Sequence, residues 1–367
     1  MVRTPGSDGG RVLIIAEAGV NHNGSPDMAL KMVDAASEAG ADVIKFQTFR
    51  AEALASSRAV KADYQISATG DGGSQLDMLR GYELSEGDHR AIIDRCAKRG
   101  IEFMSTPFDT ESVDLLVSLG TARLKIPSGE ITNWPLIWKI GGTGKPVIMS
   151  TGMSSVCEIR DALGVFLLGA LRPEITPSKE EAEKVFASRD GQDYLRDNAV
   201  LLHCTTQYPA PLGEVNLRAM DALADEFHLP VGYSDHTEGI IVSIAAAARG
   251  AAVIEKHFTL DKNLPGPDHR ASAALCELVE MVAGIRAVER ALGEREKFPT
   301  KGETANRTVV RKSLTALKPI RAGETFTAEN LGVKRPGDGI APSEYWRYIG
   351  LASFRNYDED ERIEAQP

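Results

Sequence analysis

The chain has 367 residues, 43% of them hydrophobic, which is enough to bury one large core and a smaller second one. Its formal net charge of −10 argues against a broad electrostatic attraction to nucleic acid or anionic membranes, so an anionic ligand would need local cations. The polar first ten residues lack the apolar run of a signal peptide, and no uncharged run approaches membrane-spanning length. We therefore expect a cytoplasmic protein that binds neither nucleic acid nor membrane.

The cysteines are scattered along the chain without a CxxC pair. This spacing is typical of reduced thiols rather than of a disulfide framework or a zinc ribbon. We expect no disulfide bridge among Cys96, Cys157, Cys204 and Cys276.

Up to about residue 293, short β-branched runs alternate with amphipathic segments. Near-continuous apolar runs separated by helices are typical of parallel strands covered by helices, and eight such units over roughly 280 residues fit a (β/α)₈ TIM barrel. The alternative α/β fold is a doubly wound open sheet, but no strand is followed by the glycine fingerprint of a dinucleotide site. The predicted strands cover residues 12–17, 42–47, 101–106, 122–128, 146–151, 199–204, 230–235 and 252–258.

Helix start and stop signals fill the intervals between strands. Ser25 can cap a first helix that has Pro26 at its first position and ends at Gly40. Similar signals predict helices from Ser85 to Gly100 and from Asp109 to Gly120.

Two longer excursions interrupt this rhythm, at residues 50–84 and 172–198. The first includes the glycine-rich stretch 69–73, and the second is rich in Glu and Lys. We predict loops with short helices at the barrel rim, which are either functional lids or tolerated insertions.

Polar side chains end all the predicted strands. Because the carboxyl ends of barrel strands share one face, these side chains would surround an ionic ligand. Lys45 and Lys125, with nearby serine hydroxyls, suit a small ligand that bears phosphate and carboxylate; the alternative for each lysine is an ion pair with a rim carboxylate. The predicted rim comprises Glu17, Asn21, Lys45, Gln47, Thr106, Lys125, Ser128, Glu130, Ser150, His203, Tyr208, Ser234, His236 and His257.

Two histidines, His236 and His257, end successive strands and can converge on a metal ion. The alternative is that each is a hydrogen-bonded strand end. Nitrogen ligands leave manganese, iron, zinc or cobalt open, whereas magnesium prefers oxygen. Glu17 and Glu130 could act as acid or base near the same centre, or could pair with a lysine. His203 and Cys204 should point to opposite faces of their strand.

Long motifs resemble the sialic acid synthases over essentially the whole chain. The resemblance implies a (β/α)₈ enzyme that condenses phosphoenolpyruvate with an N-acylated mannosamine, giving a nine-carbon 2-keto acid and phosphate. N-acetylmannosamine is the first acceptor expected, and 2,4-diacetamido-2,4,6-trideoxymannose, which gives N,N'-diacetyllegionaminate, is the alternative. The motifs lie at residues 16–24, 44–49, 105–109, 125–133, 150–153, 203–211, 232–237 and 255–269.

The resemblance also implies roles for individual residues. His236 and His257 would bind a divalent ion, typically Mn²⁺, with Mg²⁺ or Co²⁺ as alternatives. Glu17 and Glu130 would handle protons or orient the attacking water. Thr206 stands where the family pattern has an amide, and the TTQYPAP form looks more like the legionaminic acid branch. The residues that would hold phosphoenolpyruvate are Lys45, Thr106, Lys125, Ser128, Ser150 and Ser234, and those that would meet the sugar are Gln47, Tyr208, Asp268 and Arg335.

The composition changes after the barrel. A polar linker, residues 296–308, is followed by short strands and Gly/Pro turns, so the predicted domains are 1–295 and 309–367. The second resembles the small β-rich antifreeze-like (SAF) domain that ends these synthases. The resemblance implies a domain-swapped homodimer in which Arg335 reaches the partner's barrel and contacts the N-acyl group. The alternative is that Arg335 is an ordinary surface cation.

Two other functions fit parts of the sequence. A phosphoenolpyruvate-dependent aldolase acting on a phosphosugar would share the barrel and metal but would need extra cations. A binding protein, even an ice-binding one, would use the barrel only as a scaffold, and its activity would not depend on His236.

Overall fold

A computed structural model describes residues 11–61, 66 and 73–366. The chain divides into two compact units between Gly293 and Glu294. The polar amino terminus and residues 69–72 of the predicted glycine-rich stretch lie outside the described residues.

The first unit is built around parallel strands that follow the ladder order β3-β2-β1-β8-β7-β6-β5-β4. This is a nearly closed barrel, and it confirms the predicted (β/α)₈ fold. In the described strands, ladders join every pair of barrel neighbours except β3 and β4. A short β9 (Ala273–Ala274) adds to β8. The barrel strands are β1 (Leu13–Gly19), β2 (Val43–Thr48), β3 (Glu102–Pro107), β4 (Leu124–Ile126), β5 (Val147–Ser150), β6 (Ala199–Cys204), β7 (Val231–Asp235) and β8 (Val253–Thr259).

The barrel interior explains where the polar strand ends point. A buried apolar cluster fills it, with Ile15, Val43, Met104 and Ile148 among its members. Because strand side chains alternate between faces, the residue two positions further along each strand also faces inward, above this cluster. The residues reached in this way are Glu17, Lys45, Thr106 and Ser150.

Helices cover the outside of the barrel. The three predicted caps are confirmed: Ser25, Ser85 and Asp109 each accept a hydrogen bond from a backbone N–H of the helix they begin. None of the described helices is both long enough and apolar enough to cross a bilayer. The helices of this unit are α1 (Pro26–Glu38), α2 (Ala51–Leu54), α3 (Gln75–Arg80), α4 (Glu86–Arg99), α5 (Thr110–Ser118), α6 (Trp134–Gly141), α7 (Val156–Leu171), α8 (Lys179–Phe186), α9 (Arg189–Asn198), α10 (Ala219–Phe227), α11 (Ile241–Ala248) and α12 (Leu275–Leu292).

Both long excursions contain the short helices expected of them, but they lie at opposite ends of the barrel. Residues 50–84 follow β2 and carry α2 and α3, so they stand at the carboxyl ends of the strands. Residues 172–198 connect α7 to β6 and carry α8 and α9, which places them at the amino ends. Only the first excursion can therefore contribute to a site at the carboxyl face.

The second unit contains α13 (Lys301–Val310), an antiparallel pair of strands, β10 (Ser313–Ala316) and β11 (Leu331–Lys334), and the short α14 (Tyr345–Tyr348). Its core is a separate cluster that includes Leu314, Phe326 and Tyr357. Most of the segment predicted as a linker is helical, because Thr300 and Glu303 form a capping box at the start of α13.

Candidate active site

A cavity of about 730 Å³ opens at the carboxyl ends of the barrel strands. It collects side chains from separate βα units, as the alternating pattern of the strands requires. The predicted residues that line it are Glu17, Lys45, Gln47, Thr106, Lys125, Ser128, Ser150, Tyr208, Ser234, His236 and His257.

Lys45 on β2 lies close to two buried carboxylates, those of Glu17 on β1 and Glu255 on β8. Its Nζ lies 2.7 Å from Oε2 of Glu17, 3.7 Å from Oε2 of Glu255, and donates to Oγ1 of Thr106 at 3.1 Å. Burial alone would lower the pKa of Lys45, but the two carboxylates raise it above its usual value. Lys45 therefore forms the ion pair that was the alternative interpretation, and it does so inside the cavity.

The two carboxylates titrate differently although they share one lysine. Burial raises the pKa of Glu17 to about 7, against the opposing effect of Lys45. Burial would also raise the pKa of Glu255, but Lys125 and Lys45 together lower it to about 2. At neutral pH Glu255 is ionised, whereas Glu17 is poised to gain or lose a proton.

Lys125 is the second cation of the cavity. Its Nζ donates to Oγ of Ser150 at 2.5 Å and to the carbonyl oxygen of Ile126 at 3.3 Å. Among the described residues, no carboxylate lies within ion-pair distance of this ammonium group. Burial lowers the pKa of Lys125. A buried cation held only by neutral oxygens is a receptor for an anionic ligand.

Glu255 was not predicted from the sequence. It lies two positions before His257 on β8, so both side chains face the barrel interior. Its Oε1 accepts a hydrogen bond from Oγ of Ser234 at 3.0 Å, across the β7–β8 ladder. The same alternation that located the other rim residues could have found it.

His236 and His257 converge as predicted, with ring centroids 5.7 Å apart. Nδ1 of His236 lies 2.7 Å from the carbonyl oxygen of Thr205, so this nitrogen carries the hydrogen and Nε2 offers its lone pair. Nδ1 of His257 is buried and has no hydrogen-bond partner among the described residues; the nearest carboxylate oxygen, Oδ2 of Asp268, is 3.8 Å away. Burial lowers the pKa of both imidazoles, and it does so strongly for His257.

These two neutral imidazoles fit a divalent ion, because each is deprotonated and one has a buried ring nitrogen that no described group satisfies. In the described part of the chain, no group of three His, Cys, Asp or Glu residues has the geometry of a closed metal site. A site with two protein ligands would leave coordination positions for water and substrate oxygens.

The remaining part of the cavity floor is tightly packed around Gly152. Its backbone N–H donates to Oγ of Ser128 at 3.0 Å, and a Cβ at this position would lie 2.2 Å from Oγ1 of Thr206. Ser128 also lies 3.1 Å from Sγ of Cys204, which faces the cavity. His203 points away, toward the carbonyl oxygen of Val215, so the predicted opposite orientation of His203 and Cys204 is confirmed.

Comparison with known proteins identifies this arrangement. The profile of the NeuB family matches residues 32–297, and that of the SAF domain matches residues 311–353. The chain belongs to the NeuB family. The predicted membership of the sialic acid synthase family is thereby confirmed. The predictions that the chain is a condensing enzyme and that it ends in a SAF domain are confirmed as well.

Individual NeuB-family relatives cover nearly the whole chain. N,N'-diacetyllegionaminic acid synthase of Campylobacter jejuni is 47% identical over 96% of this chain and 99% of its own length. The enzyme of the same name from Legionella pneumophila is 47% identical over 92% of this chain and 89% of its own length. The crystal structure of N-acetylneuraminic acid (sialic acid) synthetase from Leptospira borgpetersenii, in complex with citrate, matches with a TM-score of 0.65 and 30% identity, covering 81% of this chain and 90% of that one.

Three residues that the family resemblance suggested lie outside the cavity lining. Glu130 ends a short 3₁₀ turn, and its Oε2 accepts a hydrogen bond from Nδ2 of Asn133 at 2.6 Å. Asp268 stands behind His257, and burial raises its pKa to about 6. Arg335 belongs to the second unit, where its Nε donates to the carbonyl oxygen of Val310 at 2.9 Å. Their roles in this NeuB-family chain remain predictions.

Two further residues of the predicted rim, Asn21 and His203, do not line the cavity and have structural partners instead; that of His203 is the carbonyl oxygen of Val215. Asn21 donates to the carbonyl oxygen of Phe258 and to Oγ of Ser272, each at 2.9 Å. Ser272 in turn donates to the carbonyl oxygen of Asp268 at 2.7 Å. Asn21 therefore ties the loop that carries Asp268 to the end of β8.

Proposed function

We propose that the protein is an N,N'-diacetyllegionaminic acid synthase. It condenses phosphoenolpyruvate with 2,4-diacetamido-2,4,6-trideoxymannose and water, giving N,N'-diacetyllegionaminate and inorganic phosphate. The observation that carries this proposal is the 47% identity to two synthases of that name over at least 89% of their length. The identity to the N-acetylneuraminic acid synthetase from Leptospira is 30%. The comparisons thus favour the alternative acceptor over N-acetylmannosamine, which the sequence had put first.

Phosphoenolpyruvate would lie on the polar floor of the cavity. Lys125, with Ser150 beside it, presents a cation that is not engaged by a described carboxylate, and Lys45 presents a second one next to Thr106. Ser128 and Ser234 add hydroxyl groups on the neighbouring units. Charge-assisted hydrogen bonds of this kind hold the carboxylate and phosphate of a small anion. Among the described lining residues these two lysines are the only basic ones apart from the histidines, which leaves no further cation for a phosphosugar acceptor.

His236 and His257 would hold the divalent ion, for which Mn²⁺ is our first candidate. When bound there, the ion acts as a Lewis acid on the aldehyde of the open-chain sugar. The hydrogen bond from His236 to Thr205 fixes the orientation of one ring, and Asp268 stands closest to the free nitrogen of the other. Gln47 and Tyr208 line the cavity beside them and would contact the sugar.

The chemistry then follows from the charges on the floor. C3 of phosphoenolpyruvate forms a bond to the acceptor aldehyde carbon, whose C=O double bond opens to an alkoxide, and positive charge develops at C2. Water adds at C2, phosphate leaves with cleavage of its C–O bond to give the 2-keto group, and the two protons of the water end on the alkoxide and on phosphate. Ionised Glu255 stabilises the developing positive charge, while Glu17, whose pKa is about 7, takes the proton of the water. Lys45 and Lys125 stabilise the departing phosphate. Glu130 is the second carboxylate proposed to orient water.

We also propose a domain-swapped homodimer, in which Arg335 reaches the barrel of the partner chain and contacts the N-acyl group of the sugar. Arg335 is exposed in its own unit, and that unit carries exposed apolar side chains such as Val309 and Trp346, which a partner could cover. We place the protein in the cytoplasm, since its four cysteines are free thiols, as they are in reducing compartments.

A phosphate-release assay tests the proposed activity. The purified protein is given phosphoenolpyruvate and Mn²⁺ together with 2,4-diacetamido-2,4,6-trideoxymannose, N-acetylmannosamine or N-acetylmannosamine 6-phosphate, and the nonulosonic acid product is identified by mass spectrometry. We expect the highest kcat/KM with the diacetamido sugar. A higher value with N-acetylmannosamine would assign the protein to N-acetylneuraminate synthesis, and turnover of the phosphosugar alone would contradict both assignments.

A further inference from the structure

Three large apolar side chains line the cavity from the excursion after β2 and the end of β3, and we call them the apolar wall. Leu54 ends α2, Leu79 lies in α3, and Phe108 follows β3 directly. Each is half-buried and contributes to the cavity lining. They contrast with the floor, where lysine, glutamate, serine and histidine side chains predominate.

Two side chains of this wall stand on helices that pack against each other. Buried Ala51, Ala55 and Leu76 pack α2 against α3. Arg80 of α3 donates to Oε1 of Glu52 in α2 at 2.8 Å, which adds a polar link between the same two helices. A preformed apolar surface binds without a large ordering cost.

Phe108 is fixed independently of those helices. Its ring packs edge-on against Phe49 with centroids 6.2 Å apart. The backbone N–H of Arg50 donates to Oδ2 of Asp109 at 2.8 Å, which ties the end of β2 to the residue after Phe108. The wall therefore joins two adjacent βα units.

Amide groups accompany the apolar side chains. Gln75 and Leu79 are four residues apart in α3 and share one face of that helix. Gln47 lines the cavity from the end of β2. The side-chain amides of Gln75 and Gln47 make no hydrogen bond within the described ranges of the chain. An amide next to an aliphatic side chain complements an acetamido group, which needs one hydrogen-bonding partner and one surface for its methyl.

We propose that Leu54, Leu79 and Phe108, together with Gln75, bind the end of the acceptor that carries the 4-acetamido and 6-methyl groups and so determine acceptor choice. This inference rests on the proposed function. The acceptor's aldehyde must lie on the floor beside phosphoenolpyruvate, so its C4 to C6 end extends away from the floor. N-acetylmannosamine has hydroxyl groups at C4 and C6, and these would lose water at an apolar wall that offers too few partners.

Paired kinetics on leucine variants test the wall. Leu79→Asn and Leu54→Asn preserve the approximate side-chain size but replace apolar surface by an amide. For each variant, kcat/KM is measured with 2,4-diacetamido-2,4,6-trideoxymannose and with N-acetylmannosamine at saturating phosphoenolpyruvate. We expect the ratio of the two values to fall by about 10-fold, the discrimination that a small apolar contact supplies. Leu292→Asn is the matched control, because Leu292 is 56% exposed at the end of α12, which runs back toward the amino ends of the strands.

The outcomes separate this inference from the proposed function. A fall in the ratio for both cavity variants, with the control ratio unchanged, supports the wall. If the wild-type protein prefers the diacetamido sugar but both variants slow the two acceptors equally, the wall does not select the acceptor, and the proposed function stands. If the wild-type protein prefers N-acetylmannosamine, the proposed function and the inference fall together.

Discussion

Glu17 lies between Lys45 and His257 in the barrel: its Cα pairs with that of Lys45 across the β1–β2 ladder and with that of His257 across the β1–β8 ladder. One carboxylate therefore lies between Lys45, which we propose binds phosphoenolpyruvate, and His257, a proposed metal ligand. This position explains how three neighbouring strands, β2, β1 and β8, can serve both halves of the reaction.

The pH dependence should report on Glu17. Its pKa is about 7, and the carboxylate, not the acid, accepts the proton of water. The kcat/KM for phosphoenolpyruvate should therefore rise with pH through about 7 and level off above it. Glu17→Gln should lower kcat by about 100-fold or more and remove this limb. The idea fails if Glu17→Gln retains the limb and Glu130→Gln loses it, since Glu130 would then be the proton acceptor.

Lys125 should dominate the binding of phosphoenolpyruvate. Among the described residues the ammonium group of Lys125 donates only to neutral oxygens, so Lys125→Ala breaks no direct ion pair. It also removes a charge that favours the ionised form of Glu255. We expect affinity for phosphoenolpyruvate, measured by calorimetry without acceptor, to fall by about 100-fold, the usual cost of losing a buried charged contact. Lys139→Ala, on the outer helix α6, is the control and should bind normally. If the affinity of Lys125→Ala for phosphoenolpyruvate stays within two-fold of wild type, Lys125 does not belong to the binding site.

Removal of the metal ion that His236 and His257 are proposed to bind should stop the reaction. We expect a chelator to abolish phosphate release and Mn²⁺ to restore it. His257→Ala and His236→Ala should each lose both activity and the binding of Mn²⁺. Binding is measured by electron paramagnetic resonance of the free ion. His228→Asn is the matched control, because His228 is exposed at the end of α10 and asparagine tolerates its left-handed backbone. Wild-type Mn²⁺ binding by either cavity variant would refute the ligand assignment.

Mixed dimers test the proposed exchange of Arg335. Glu17→Gln chains and Arg335→Ala chains should each be nearly inactive alone. Co-expressed with different tags, they should recover about a quarter of wild-type activity, because random pairing makes half the dimers mixed, each with one intact barrel facing an intact Arg335. If Arg335 serves its own barrel, or if the protein sediments as a monomer, no recovery will occur.

Local sequence patterns predicted the barrel well, because each strand is an apolar run and each outer helix has a polar cap. They also predicted most of the side chains that meet at the carboxyl face, since alternation along a strand fixes the direction of every second residue, but not Asn21 and His203, which do not line the cavity. An ion pair between a rim carboxylate and a lysine was an alternative from the sequence, but its partners, Glu17 and Lys45, could not be identified there because they depend on which strands lie side by side. Glu255 was missed because it lies within an apolar run, although its spacing from His257 was available.

Glu130 shows where prediction from strand alternation fails. The predicted strand 122–128 is much shorter in the structure, covering Leu124–Ile126, and Pro127 leads into a 3₁₀ turn. Once the strand has ended, alternation no longer fixes side-chain direction, so the rule that located Lys125 could not locate Glu130. The long excursions had the same difficulty: short helices could be predicted, but which end of the barrel they occupy depends on whether they follow a strand or a helix.

The break in the ladder between β3 and β4 has a consequence for the ligand. Thr106 lies near the end of β3 and Lys125 lies on β4, so the two residues border the gap in the ladders of the described barrel strands. A small anion that hydrogen-bonds to both side chains would link β3 to β4, which share no backbone ladder among the described strands. Substrate and scaffold would then stabilise each other, and the enzyme would be most rigid when it is loaded.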